Sequence, residues 1–148
     1  MAIKAAIDSG YFYDSATAPA YLYCANNGAK TLSMSYYSDR VSPIERDGIN
    51  YCWNHNVLPV AAAGNDATVI PFYPANYDNV LSVAALNSNN TKAGFSNYGA
   101  KCDVAAGGVG TVATTVSGGY TAGFSGTSAA CPHVAGVAAL LKGANPNA

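Results

Sequence analysis

Three short apolar runs, at residues 2–7, 30–35 and 57–63, recur about every 28 residues, and the segments between them carry apolar residues at helical spacing. Strands that alternate with helices of this length imply parallel βαβ units. The pattern therefore predicts an α/β fold with a doubly wound, mostly parallel sheet. The intervening helices have recognisable ends. Asn27-Gly28 stops the first, because glycine takes a left-handed C-terminal position cheaply, and Ser42-Pro43 opens the second with an N-cap and a proline at the first helical position.

After Asn65 the texture changes to Pro, Asn and Gly turns around short strands expected at 80–85, 102–106 and 111–116. A last helix is expected from about Thr127 to Lys142. It is apolar almost all round (Val134, Ala135, Val137, Ala138, Ala139, Leu140, Leu141), which predicts burial in the middle of a domain. Pro132 fits such a helix only in its first turn, and this places Ser128 at the N-terminal end.

A chain of 148 residues is long enough for one domain with a real core and too short for two comfortable ones. Half of it is apolar and only 10% is charged, as in a compact globular protein. The net charge of −1 gives no basic footprint for nucleic acid or for an anionic membrane. No apolar run approaches the roughly 18 residues of a spanning helix, and no basic region followed by an apolar core marks an export signal. Cys24, Cys52, Cys102 and Cys131 are irregularly spaced, with no C-x-x-C pair to suggest zinc or a redox centre. Buried free thiols and a Cys24–Cys52 disulfide both remain open, because sequence does not supply the geometry.

The segment Gly126-Thr127-Ser128-Ala129-Ala130-Cys131-Pro132-His133-Val134-Ala135-Gly136 puts a serine at a helix N-terminus, where the positive dipole end favours negative charge developing nearby. It resembles the nucleophile motif of the subtilisin-like serine proteases, the subtilase family, whose usual form is G-T-S-[MA]-[AS]-x-P-H-V-A-G. By that resemblance Ser128 is the nucleophile. Val60-Ala61-Ala62-Ala63-Gly64-Asn65 resembles the strand and turn that present the family's oxyanion-hole asparagine, which assigns that role to Asn65. Tyr73-Pro74-Ala75, Phe95-Ser96-Asn97-Tyr98-Gly99 and Asp103-Val104-Ala105-Ala106 look like further family stretches in their expected order. The resemblance covers essentially the whole chain and aligns its start just after the family's H-G-T-H helix.

A triad of this kind needs an imidazole within hydrogen-bond reach of the serine and a carboxylate to orient it. Only two histidines are present. His133 follows Ser128 by five residues on the same helix, so it points about 140° away at 100° per residue. By resemblance it is structural. His55 ends the second helix, and a surface role is expected there. Asp8-Ser9-Gly10 looks like the family's D-[ST]-G aspartate motif, yet no H-G-T-H follows it. Aligning Ala2-Ile3-Lys4 with the family instead makes Asp-Ser-Gly a plain turn. The catalytic Asp and His are thus expected to lie outside this chain.

The resemblance further implies that Ser35, Tyr36, Tyr37, Ala63 and Gly64 line the substrate. Here Ser35-Tyr36-Tyr37-Ser38 replaces the family's usual S-L-G-G, so two bulky rings stand where relatives are open. Gly107 stands where the family often has proline. The Gly107-Gly108-Val109-Gly110 cluster is not a dinucleotide loop, because a strand-like run follows it and not a helix.

The family implication is a secreted serine endopeptidase that forms an acyl-enzyme with a peptide or protein substrate and is a monomer when complete. No nucleic acid, membrane or organic cofactor is expected. The family often binds calcium in loops, but no ligand set is matched here. The chain alone is expected to be inactive. An alternative is a non-catalytic, peptide-binding pseudoprotease. An α/β-hydrolase esterase is disfavoured, since Ala130 replaces the second glycine of G-x-S-x-G and no usable histidine follows.

Overall fold

The computed structural model describes residues 1–6 and 10–145. The elements run α1 (Asp14–Asn26), β1 (Thr31–Met34), α2 (Pro43–Asn54), β2 (Leu58–Ala62), β3 (Leu81–Leu86), β4 (Val104–Gly107), β5 (Thr111–Thr114), β6 (Tyr120–Phe124) and α3 (Thr127–Ala144). Strands β1, β2, β3 and β4 lie in that order in one parallel sheet, and β5 and β6 form a separate antiparallel pair. The expected α/β class, a parallel sheet flanked by helices, is what the chain adopts.

Alternate residues of β2 serve opposite faces, which is why its sequence is apolar almost throughout. Ala61 packs with Met34, Tyr21, Ile49 and Cys52 beneath α1 and α2. Val60 and Ala62 pack with Val83, Ala85, Ala130, Cys131 and Ala135 beneath α3. The two helices of the first face meet closely at Gly48, where an added Cβ would stand 2.7 Å from the Tyr21 ring.

The start of α2 carries a buried polar network. Ser42 Oγ accepts from Glu45 N at 3.2 Å and donates to Asp14 Oδ2 at 2.6 Å. Ser42 N donates to the Tyr77 hydroxyl at 2.7 Å, so Tyr77 supplies the reciprocal half of a capping box. That frees the Glu45 carboxylate to accept from the Tyr21 hydroxyl at 2.9 Å, and Tyr21 in turn hydrogen-bonds the Tyr36 hydroxyl.

Burial pushes the Glu45 carboxyl above its usual range, against the opposing donation from Tyr21. A carboxyl whose folded value is raised adds stability below its unfolded value of about 4.3, and that contribution is lost as pH rises through the folded value. Glu45→Gln keeps a carbonyl for Tyr21 and carries no charge. Its stability relative to the parent, measured by denaturant unfolding, should therefore rise between pH 4 and pH 7. A difference that stays flat or falls across that window contradicts this.

Several expectations are corrected. Among the described residues, 2–6 form no strand, and Ala6 makes an isolated antiparallel bridge to Phe12. They are exposed or half-exposed, and Ile3 and Ala5 face the open edge of β1 across a cavity instead of pairing with it. Residue 7 and the Asp8-Ser9 turn lie outside the described residues. The run at 111–116 is shorter than expected and belongs to a hairpin with β6, turned by Ser117-Gly118-Gly119 with both glycines at positive φ.

Helix α3 is not buried all round. Thr127, Ala129, Ala130, Cys131 and Ala135 are buried, but Val137, Leu140 and Leu141 are 58%, 76% and 63% exposed. All four cysteines are free thiols, so the Cys24–Cys52 disulfide is not formed. Burial raises the Cys52 thiol to about 11. Among the described residues no helix is long and apolar enough to cross a membrane.

Candidate active site

The carboxyl ends of β1 and β2 both abut the N-terminus of α3, the usual place for a site in an open parallel sheet. Pro132 lies one turn deeper in α3 than its sequence implies. Having no N–H, it cannot bond the carbonyl of Ser128 four residues back. Ser35 repairs the loss by donating its Oγ to Ser128 O at 3.0 Å. Ser128 Oγ reciprocates by donating to Ser35 O at 3.2 Å. The pair fixes a half-exposed Ser128 at the open end of the helix dipole.

Asn65 lies in the turn after β2, beyond Ala63 and Gly64. Its Oδ1 accepts from Thr127 N at 2.8 Å and from Thr127 Oγ1 at 2.9 Å. With the oxygen committed to two donors, the amide orientation is set and Nδ2 is left as the donor of the side chain. The turn is held from below by Asn97, a residue whose role the sequence reading missed. Its buried amide donates to Ala63 O at 2.9 Å and accepts from Asp66 N at 2.9 Å and Thr68 N at 3.3 Å. Gly64 has φ +107, and an added Cβ would stand 2.3 Å from Asn97 Nδ2, so only glycine fits there. The regular spacing of Phe95-Ser96-Asn97-Tyr98-Gly99 behind the Asn65 turn was the one signal that could have found Asn97.

The rings of Tyr36 and Tyr37 diverge. Tyr36 stacks on Phe12, with centroids 4.3 Å apart at 20°, and sends its hydroxyl to Tyr21. It lines a cavity of about 660 Å³ together with Phe12, Tyr37 and Tyr73. Tyr37 turns towards Asn65 and Asp66, and burial followed by the Asp66 charge raises its phenol.

Neither histidine stands beside Ser128. His55 bonds Tyr51 O through Nδ1 at 2.8 Å and stacks on the Tyr51 ring. His133 is exposed on the helix. Cys131 is no substitute nucleophile: it is fully buried, which raises its thiol, and it is aimed at Val60 O. Among the described residues no group of three or more His, Cys, Asp or Glu could hold a metal ion.

Comparison with known proteins identifies the family. The family model described as "Subtilase family" matches residues 1–148. A thermophilic serine proteinase of Bacillus sp. (strain AK1) is 41% identical over 147 residues, covering 99% of this chain and 36% of that protein. Thermitase of Thermoactinomyces vulgaris is 41% identical over 141 residues, covering 95% of this chain and 50% of that protein. Among solved structures, a psychrophilic protease superposes with a TM-score of 0.85 at 32% identity, covering 95% of this chain and 53% of that one. The chain thus spans about half the length, or less, of the relatives it matches. With the motif, the parallel sheet and these relatives in agreement, the chain belongs to the subtilase family of serine proteases.

Proposed function

We propose that this chain is the nucleophile-bearing part of a secreted serine endopeptidase, and that a segment corresponding to the missing half of its relatives supplies the Asp and His. The observation that carries the reading is the convergence of Ser128 and Asn65 at the head of α3, where Ser128 N and Asn65 Nδ2 lie 3.5 and 3.6 Å from the place a Cβ on Gly126 would take. A half-exposed hydroxyl lies at a helix N-terminus, beside an amide whose oxygen is tied back by Thr127. Ser128 attacks the scissile carbonyl, the supplied imidazole takes the Ser128 proton and then delivers it to the leaving amine, and water hydrolyses the acyl-enzyme. Asn65 Nδ2 and the Ser128 backbone N–H stabilise the oxyanion. The substrate is a peptide or protein, the complete enzyme works as a monomer, and no organic cofactor takes part.

An organophosphonate that reacts with activated serines tests the reading on the intact protein. Peptide mapping should place the label on Ser128, with none in Ser128→Ala. A folded intact protein that stays unlabelled at Ser128 but binds peptides would favour the pseudoprotease instead.

A further inference from the structure

A carbonyl attacked by Ser128 has to sit between Ser128 Oγ and Asn65 Nδ2. The residue carrying it is therefore bounded by the two segments bonded to the head of α3, residues 35–38 and 63–66. Two aromatic rings occupy the space between those segments. The Phe72 ring lies 3.6 Å from where a Cβ on Gly64 would stand. Tyr37 packs edge-on against it, with centroids 5.1 Å apart at 80°.

The backbone beside both rings is pinned, because Ser38 and Tyr73 exchange two hydrogen bonds of 2.8 Å. Beyond the rings, the Tyr37 hydroxyl lies against Asn65 and Asp66. Behind Phe72, the cavity shared with Ala63 and Ala75 holds only about 20 Å³, room for one water. With both rings in place, a large side chain enters the gap between Phe72 and the Gly64 turn only by displacing one of them.

We propose that Tyr37 and Phe72 determine specificity by filling the space that would receive the side chain of the residue donating the scissile carbonyl, so that the substrates are peptides with glycine or alanine at that position. The inference rests on the serine-protease reading above. Rejection by a filled space is sharper than loss of a favourable contact, since a single methylene already discriminates by about 10-fold or more.

The test uses the intact protein and four peptides that differ only in the residue before the scissile bond: Gly, Ala, Leu or Phe. The parent should show a kcat/KM for Ala at least about 100-fold above that for Phe. In Tyr37→Gly/Phe72→Gly the ratio should fall by about tenfold or more. The single variants Tyr37→Ala and Phe72→Ala leave the Ser38–Tyr73 backbone bonds in place and should shift the ratio part of the way, so the test survives if the double variant does not fold. A parent that cleaves the Phe and Ala peptides equally well, or folded variants that leave the ratio unmoved, overturns the role of the rings. If that turnover still vanishes in Ser128→Ala, the protease reading stands without it. A folded intact protein that cleaves none of the four overturns both.

Discussion

The chain alone should show no specific peptide turnover, and turnover should appear when an upstream segment bearing the family's Asp and His motifs is joined to it or added as a second chain. In the joined protein Ser128→Ala should then remove about 10⁶ of the turnover, the size known for such a loss in subtilisin itself. The expectation for the chain alone rests on the bond that Ser128 makes. Ser128 Oγ spends its hydrogen on Ser35 O, and a carbonyl cannot take the proton.

The same geometry shows where help would arrive. Strand β1 is an edge of the sheet, and Ser35 just beyond its carboxyl end bonds Ser128. A parallel strand added on that edge would deliver its own carboxyl end beside Ser128. A cavity of about 650 Å³ runs along this edge, lined in part by Leu32, Met34, Cys24 and Ala139. The exposed Val137, Leu140 and Leu141 add uncovered apolar surface on α3. Such edges and patches promote association, so solubility should improve together with activity. Sedimentation and turnover measured on the same samples check the coupling. Turnover by the chain alone that disappears in Ser128→Ala would mean that a base exists within it.

The parallel core was legible because its signals are local and redundant. β2 is apolar at every position since both its faces are buried, and α2 opens on a Ser-Pro pair whose capping bond is present. The N-terminal run is equally strand-like in sequence, yet its described residues 2–6 form no strand, because a strand's stability comes from pairing with a neighbour, which sequence does not display. Pro132 misled for a related reason. Its missing hydrogen bond is compensated by Ser35, which is 93 positions away from Ser128 in the chain. Within the site, Ser128 and Asn65 are the two residues the motifs point to, and both stand at the head of α3. The residues that orient them, Thr127 and Asn97, act through amide and hydroxyl contacts across the fold, and polar residues of these types are ordinary in turns.

Replacing Asn65 with Leu in the active, joined protein should raise the barrier by about 2.7–4 kcal/mol, or 10²–10³ in kcat, the magnitude established for the corresponding asparagine of subtilisin. KM should change little, because the amide donates to an oxygen that carries full negative charge only in the tetrahedral intermediate. Leu also removes the acceptor for Thr127 N and Thr127 Oγ1, so the loss could reflect a displaced α3 terminus. Asn65→Asp separates the two roles. A carboxylate still accepts both Thr127 bonds, so it keeps the terminus in place, but it offers no donor and sets a negative charge against the developing oxyanion. If Asn65 acts as a donor, Asp should be at least as damaging to kcat as Leu while unfolding with nearly parental stability. If Asn65 only holds the helix, Asp should restore most of the activity that Leu loses. Recovery in the Asp variant would remove Asn65 from the chemistry and leave the Ser128 backbone N–H as the remaining donor of the oxyanion site.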